Sequence, residues 1–236
     1  VLTGKNTFYK SWLSEAFMKI DNVPLDLLIP NMLAATGTAL EIFFLTIIFS
    51  IPLGFLVALG RRSRHAVINF PIRIYQLIFR GTPLMLQLIF FMYGPYYIFG
   101  FTLDRFVACI AAFTINYAAY FGEIFRGGIA AIPKGQYEAA KVLGYNKIQT
   151  FIRIVLPQVV KSVIPAVGNE LMTLVKDTSL AQVISVVELF RVASAAGSKY
   201  FSTVPIIVAA VFYLIMNTVV EVSFKQIEKK FEYYKN

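Results

Sequence analysis

The chain has 236 residues, 58% of them hydrophobic, and 22 Lys and Arg against 13 Asp and Glu give it a net charge of +9. A soluble domain of this length cannot hide that much apolar surface in its core, so the mean hydropathy of +0.67 points to the bilayer as solvent. A lone Cys109 excludes an intrachain disulfide framework, His65 as the single histidine leaves no Cys/His metal set, and the basic excess is what the cytoplasmic loops of membrane proteins carry rather than a sign of nucleic-acid binding.

Val1 is not followed by a basic stretch and a small-residue cleavage site, so no secretory signal peptide is expected, and residues 1–30 read as a polar extracytoplasmic segment. A membrane span needs roughly 20 mainly apolar residues. Five stretches supply them, at 33–60, 73–99, 105–125, 155–175 and 203–223, which predicts an all-α membrane protein with about five transmembrane helices over 31–225 and a basic tail over 226–236. The first span runs into Arg61, Arg62 and Arg64, a sharp stop at an aqueous face. In the second, FRGTPLMLQL places Gly81 and Pro83 where they break the helix at its middle and free backbone groups. The third carries Asn116 and Glu123, and the fourth carries Lys161, Pro165, Asn169 and Glu170, so both must face protein or water along part of their length. Between the fourth and fifth, SLAQVISVVELFRVASAAGSKYF is too interrupted for a span and reads as a re-entrant or interfacial helix.

Positive charge sets the orientation. Arg61, Arg62, Arg64 and Arg73 follow the first span, Arg126, Lys134, Lys141, Lys147 and Arg153 follow the third, and Lys225, Lys229, Lys230 and Lys235 follow the fifth. With five spans these segments share one side, which puts the N-terminus outside, the C-terminus inside and the 126–154 connection in the cytoplasm. That connection contains IPKGQYEAAKVLGYNKIQT. Pro133 suits a helix start, Gly144 a left-handed C-terminal cap, and Asn146 with Gln149 three residues on has capping-box register, so two short helices at an angle are expected. Pro157 is expected to push Leu156 towards extended geometry and so separate the second short helix from the span that follows.

Glu138-Ala139-Ala140, three residues, Gly144, nine residues, then Ile154, Leu156 and Pro157 form a pattern that resembles the cytoplasmic signature of the permease subunits of ABC importers. EIFRGGIAAIPKGQYEAA and FRGTPLMLQL are similar to the branch that imports polar amino acids, and the likeness covers nearly all of the chain from about residue 30. The resemblance implies the type I importer permease fold in a prokaryotic cytoplasmic membrane, a second permease chain, identical or homologous, and an extracytoplasmic amino-acid-binding protein. It also implies separate ABC ATPase subunits that bind ATP and Mg. Glu138, Ala139, Ala140, Leu143, Gly144, Tyr145, Asn146 and Lys147 would then form the coupling segment seated on the ATPase. The chain itself has no Gly-x4-Gly-Lys-Ser/Thr phosphate loop and no nucleophile with a base, so it reads as a transport subunit and not an enzyme, with no catalytic or metal residues and no cofactor of its own.

An amino acid crossing the bilayer exchanges water for fixed polar partners. Arg80, Gly81 and Thr82 offer donors at the broken span that would hold a carboxylate, although Arg80 has an ion pair as its alternative. Asn169 and Thr173 lie at i, i+4, with Glu170 beside them and Asp177 one turn beyond. Glu170 would accept an ammonium or the charged side chain of Arg, Lys or His, or else pair with Lys176 or Arg80. These acidic residues lean the reading slightly towards a cationic substrate. Asn116 and Tyr117 either line the path or bond between helices, whereas Glu123 and Arg126 at i, i+3 read as a structural pair. Lys229, Lys230 and Lys235 are candidates for contact with anionic lipid heads. An ion-gradient-driven secondary transporter is the competing reading, but no internal duplication accompanies the five spans.

Overall fold

The computed structural model describes residues 23–231. Most of the expected N-terminal segment, and Lys235 in the tail, lie outside these residues. Among those described, every regular element is helical: α1 (Leu25–Arg61), α2 (Ala66–Gly81), α3 (Leu84–Phe99), α4 (Arg105–Ala130), α5 (Lys134–Val142), α6 (Lys147–Thr150), α7 (Leu156–Asp177), α8 (Leu189–Tyr200) and α9 (Val204–Phe231).

Four helical stretches are long and apolar enough to cross a membrane, and α2 with α3, bent by 112° at Thr82–Pro83, makes a fifth when the pair is counted as one broken span. The break falls where Gly81 and Pro83 predict it. Helix α1 begins eight residues before the expected span, because Leu28 and Met32 bury against Leu189, Ala193 and Ala209 of α8 and α9. Helix α9 likewise continues into the expected tail, as far as Phe231.

Helix α4 is the centre of the bundle. Its N-terminus is capped by the Asp104 carboxylate, which accepts from the Phe106 and Val107 amides. Along its length Phe113, Tyr117 and Phe121 are buried with Ile42, Phe43, Leu88 and Leu174 around them. Helix α1 packs along it closely because two glycines admit the neighbouring chain: a Cβ on Gly54 would sit 2.7 Å from the Cβ of Phe121, and one on Gly122 would sit 2.4 Å from Val57 Cγ1. In lipid, where apolar surface alone does not drive helices together, such small-residue contacts supply the packing.

Further along, Gly128 meets Val163 of α7, and Gly168 meets Phe224 of α9. These contacts place the C-terminal ends of α1, α4 and α9 beside the N-terminal part of α7, at one end of the bundle. Arg62, Arg64, Arg126, Lys141, Lys147 and Lys225 gather there, and charge bias assigns that end to the cytoplasm.

One expectation fails at Pro157. Leu156 has φ −58° and ψ −44°, helical values, and α6 and α7 join through a single wide turn at Phe151–Val155. The wide turn shifts the hydrogen-bond ladder by one residue, with the Leu156 amide donating to Phe151 O, and this relieves the clash and missing donor that a proline brings. The rod from Lys147 to Asp177 is therefore unbroken.

Substituting Gly122 by Val should overpack the α1–α4 contact and cost about 1–3 kcal/mol. Unfolding of the purified chain in mixed micelles measures this, and a variant as stable as the parent would show that the two helices have room to separate.

Candidate functional site

Breaking a span in lipid exposes carbonyls that need partners. The Gln87 side-chain amide supplies them, donating to Phe79 O at 3.0 Å, Thr82 O at 3.1 Å and Thr82 Oγ1 at 2.9 Å, while the Thr82 hydroxyl donates to Ile78 O. Asn116 of α4 completes the arrangement by donating to Phe79 O and to Gln87 Oε1. Two further bonds bind α2 to α4, from Tyr75 Oη to Ile115 O and from Gln76 Nε2 to Ala119 O. Asn116, expected as a possible lining group of the path, is thus buried and committed to the bend.

Arg80 emerges at the lower lip of the break. Its guanidinium lies 3.9 Å from Glu123 Oε2 and 5.6 Å from the centre of the Tyr120 ring. Glu123 is engaged more tightly by Arg126, which donates to both carboxylate oxygens. A cavity of about 410 Å³ opens here, lined by Arg61, Arg73, Gln76, Arg80, Gly81 and Glu123. Arg61 is held in it by Gln76 Oε1 and Asn69 Oδ1, each at 2.8 Å.

The polar residues of α7 divide between two faces. Val163, Ile164, Leu171, Leu174 and Val175 are buried against the bundle. Ser162, Asn169, Thr173 and Lys176, with the small Ala166 among them, recur every three or four residues and are exposed, a mainly polar stripe pointing away from the chain's own core. Thr173 donates to Asn169 O at 3.2 Å. At the edge of the stripe, Asp177 accepts a 2.8 Å hydrogen bond from Tyr117, while Glu170 is half-buried and, among the described residues, has no cation within 4 Å. Asp177 of α7 meets α4 at Tyr117, and Arg80 of α2 meets it at Tyr120 and Glu123; the Tyr117 and Tyr120 rings lie 6.3 Å apart, so α2, α4 and α7 bring charged groups to neighbouring positions. Asn116 and Thr82 are hydrogen-bonded within the bend.

At the cytoplasmic end, α5 closes with the two bonds of a Schellman cap, Tyr145 N to Ala140 O and Gly144 N to Lys141 O, with Gly144 at φ +80°. Asn146 and Gln149 then form the reciprocal capping box that starts α6. The resulting finger buries Ala140 and presents Val142, Leu143 and Ile148, all more than 70% exposed, at its tip.

Sequence reasoning missed Gln76, Gln87 and Glu188. The last is wholly buried between α8 and α9, its carboxylate accepting from the Phe190 and Arg191 amides and from Tyr213 Oη. A lone Gln or Glu within an apolar run was the available signal.

A helical bundle with a broken span, an outward-turned polar stripe and a basic-end finger defines a multi-pass membrane transport subunit. Residues 50–233 match the family described as binding-protein-dependent transport system inner membrane component, and the chain belongs to that family. It is 35% identical to the octopine transport system permease protein OccM of Rhizobium radiobacter over 206 residues, 84% of each chain. It is also 35% identical to the arginine transport system permease protein ArtQ of Bacillus subtilis, covering 86% of this chain and 93% of that one. A crystal structure of an amino acid ABC transporter with histidines contains a chain that superposes with a TM-score of 0.79 at 30% identity, over 86% of this chain and 94% of that one. These relatives are permeases, and the chain is a multi-pass inner membrane transport subunit of an ABC importer, not an enzyme.

Replacing Gln87 by Leu should leave the Phe79 and Thr82 carbonyls without their side-chain donor and cost about 1–3 kcal/mol. Chemical unfolding in micelles reads the loss; an unchanged midpoint would mean that other donors satisfy the bend.

Proposed function

We propose that this chain is the membrane subunit of an ATP-driven importer for polar amino acids, with a preference for cationic ones. The observation that carries this reading is the α7 stripe, with Glu170 at its edge having no cation within 4 Å among the described residues, and Asp177 on the same helix bonded to Tyr117. Polar groups turned away from a chain's own core inside a membrane need water or another protein against them. A passage shared with a second permease chain, identical or homologous, would satisfy both. Glu170 and Asp177 would receive the side-chain ammonium or guanidinium of the substrate, while Arg80, with Gly81, Asn169 and Thr173 around the opening, would take the carboxylate. Similarity to the octopine and arginine transport system permeases and to an amino acid ABC transporter supports an amino acid as the substrate.

Coupling follows from the finger. Residues 138–147 would seat in a separate ABC ATPase that binds ATP and Mg, and closure of two such ATPases would move the Lys147–Asp177 rod at the passage. An extracytoplasmic binding protein would deliver substrate to the outer face. The membrane domain at 31–225 would carry both functions.

Gly144→Val forces a β-branched residue into left-handed backbone, a strain of about 1–2 kcal/mol. If docking bears that strain, ATP-driven uptake drops about tenfold while the chain remains in the membrane. Uptake in proteoliposomes holding the chain, its ATPase and the binding protein tests this, and normal uptake by the variant would remove the finger from the mechanism. In the same vesicles Glu170→Gln should weaken uptake of arginine, lysine and histidine about tenfold more than that of glutamine, since a charge-assisted bond is lost only with the cationic substrates. An unchanged panel would return Glu170 to a structural role.

A further inference from the structure

A second cavity, of about 810 Å³, lies between the α1–α2 loop and the inner side of the finger. Four cations line it, Arg62, Arg64, Lys141 and Lys147, and no carboxylate does. Among the described residues none of the four has an acidic group within 4 Å. Its floor is apolar: Leu59 from the end of α1, Ile129 from the end of α4 and Phe151 from the wide turn. Tyr137, Tyr145, Asn146 and Thr150 make up the rest of the wall.

Floor and rim differ in what they suit. Leu59 ends a row of exposed residues on α1, Phe49, Leu53, Leu56 and Leu59, spaced three or four apart and so on one lipid-facing side of the helix. An acyl chain lying along that row arrives at the cavity floor, where its headgroup meets two guanidinium forks and two ammonium groups at the level of the basic end of the bundle. Phosphate is the anion that such a set of donors holds well.

We infer that this cleft binds the phosphate headgroup of an anionic lipid of the cytoplasmic leaflet, wedged between the α1–α2 loop and the finger. The inference requires the finger to be cytoplasmic and does not depend on which substrate is carried. An acidic protein segment is the less fitting occupant, because the apolar side chains offered to a protein, Val142, Leu143 and Ile148, point elsewhere and none lines the cleft. Bound there, the lipid bridges Arg62 and Arg64 at the foot of α1 to Lys141 and Lys147 on the finger. It thereby fixes the angle at which the finger leaves the membrane.

Native mass spectrometry of the full chain, released from bilayer discs of equal parts phosphatidylglycerol and phosphatidylcholine, tests the assignment. The parent chain should retain phosphatidylglycerol in preference. Arg62→Gln/Arg64→Gln/Lys141→Gln should reduce that retention about tenfold, since each basic residue near the surface contributes appreciably to anionic-lipid affinity. Lys225→Gln/Lys229→Gln/Lys230→Gln, which removes as many charges from α9, should leave it intact. If the triple cleft variant proves unstable, the single exposed-loop change Arg64→Gln should still lower retention several-fold. Retention equal to the parent in the cleft variants, or lost only in the α9 variant, would overturn the proposal. Displacement of the lipid by millimolar inorganic phosphate would also overturn it, in favour of a free-anion site. So would its expulsion when the ATPase is added, in favour of a protein occupant.

Discussion

Continuity of one helix governs the rest of this structure. The wide turn at Phe151–Val155 shifts the hydrogen-bond ladder just before Pro157, so the proline sits inside a helical rod without breaking it. One end of that rod is the second arm of the cytoplasmic finger, held by the Asn146 capping box. The other end carries the polar stripe, Glu170 and Asp177. A flexible joint at Leu156 would have let the finger swivel without disturbing the stripe. In a continuous helix a displacement at Lys147 would be carried to Thr173, the property that the proposed coupling role requires.

Rigidity in the rod is matched by a fixed break elsewhere. Between α2 and α3 the membrane backbone turns through 112°, which lipid would penalise if the freed carbonyls had no partners. Gln87 and Asn116 meet that requirement with side-chain amides, and Tyr75 and Gln76 tie α2 to α4. Arg80 therefore stands at a defined place beside Tyr120 and Glu123. The neighbouring charged groups stand on one wall anchored to α4 and another mounted on the rod, a division suited to gating.

Much of this was legible in the residues. Apolar length located the spans, Gly81 and Pro83 located the break, and the cap residues of the finger fixed its two bonds and its left-handed glycine. Local signals of that kind act within one turn of backbone, and sequence order displays them directly. What escaped was decided between distant segments. Leu156 is the local exception: it stays helical beside Pro157 because the widened turn at Phe151–Val155, directly before it, absorbs the conflict. For Asn116 a bond between helices is one of two expectations, but which partners it finds, Phe79 and Gln87, depends on where α2 and α3 fold against α4. The early start of α1 likewise follows from Leu28 and Met32 finding α8 and α9, a contact between residues more than 150 positions apart.

Spin labels at Ile148 and Ala166 span the wide turn and Pro157, about 27 Å apart along an unbroken helix. In the assembled transporter, with buried Cys109 left in place, pulsed electron–electron resonance can compare the nucleotide-free and ATP-bound states. A rigid rod predicts that the Ile148–Ala166 distance stays constant while the distance from Ala166 to a label at Phe49 on α1 changes. An Ile148–Ala166 distance that shifts between the two states, with Ala166 stationary against α1, would place a hinge in the rod and contradict the account.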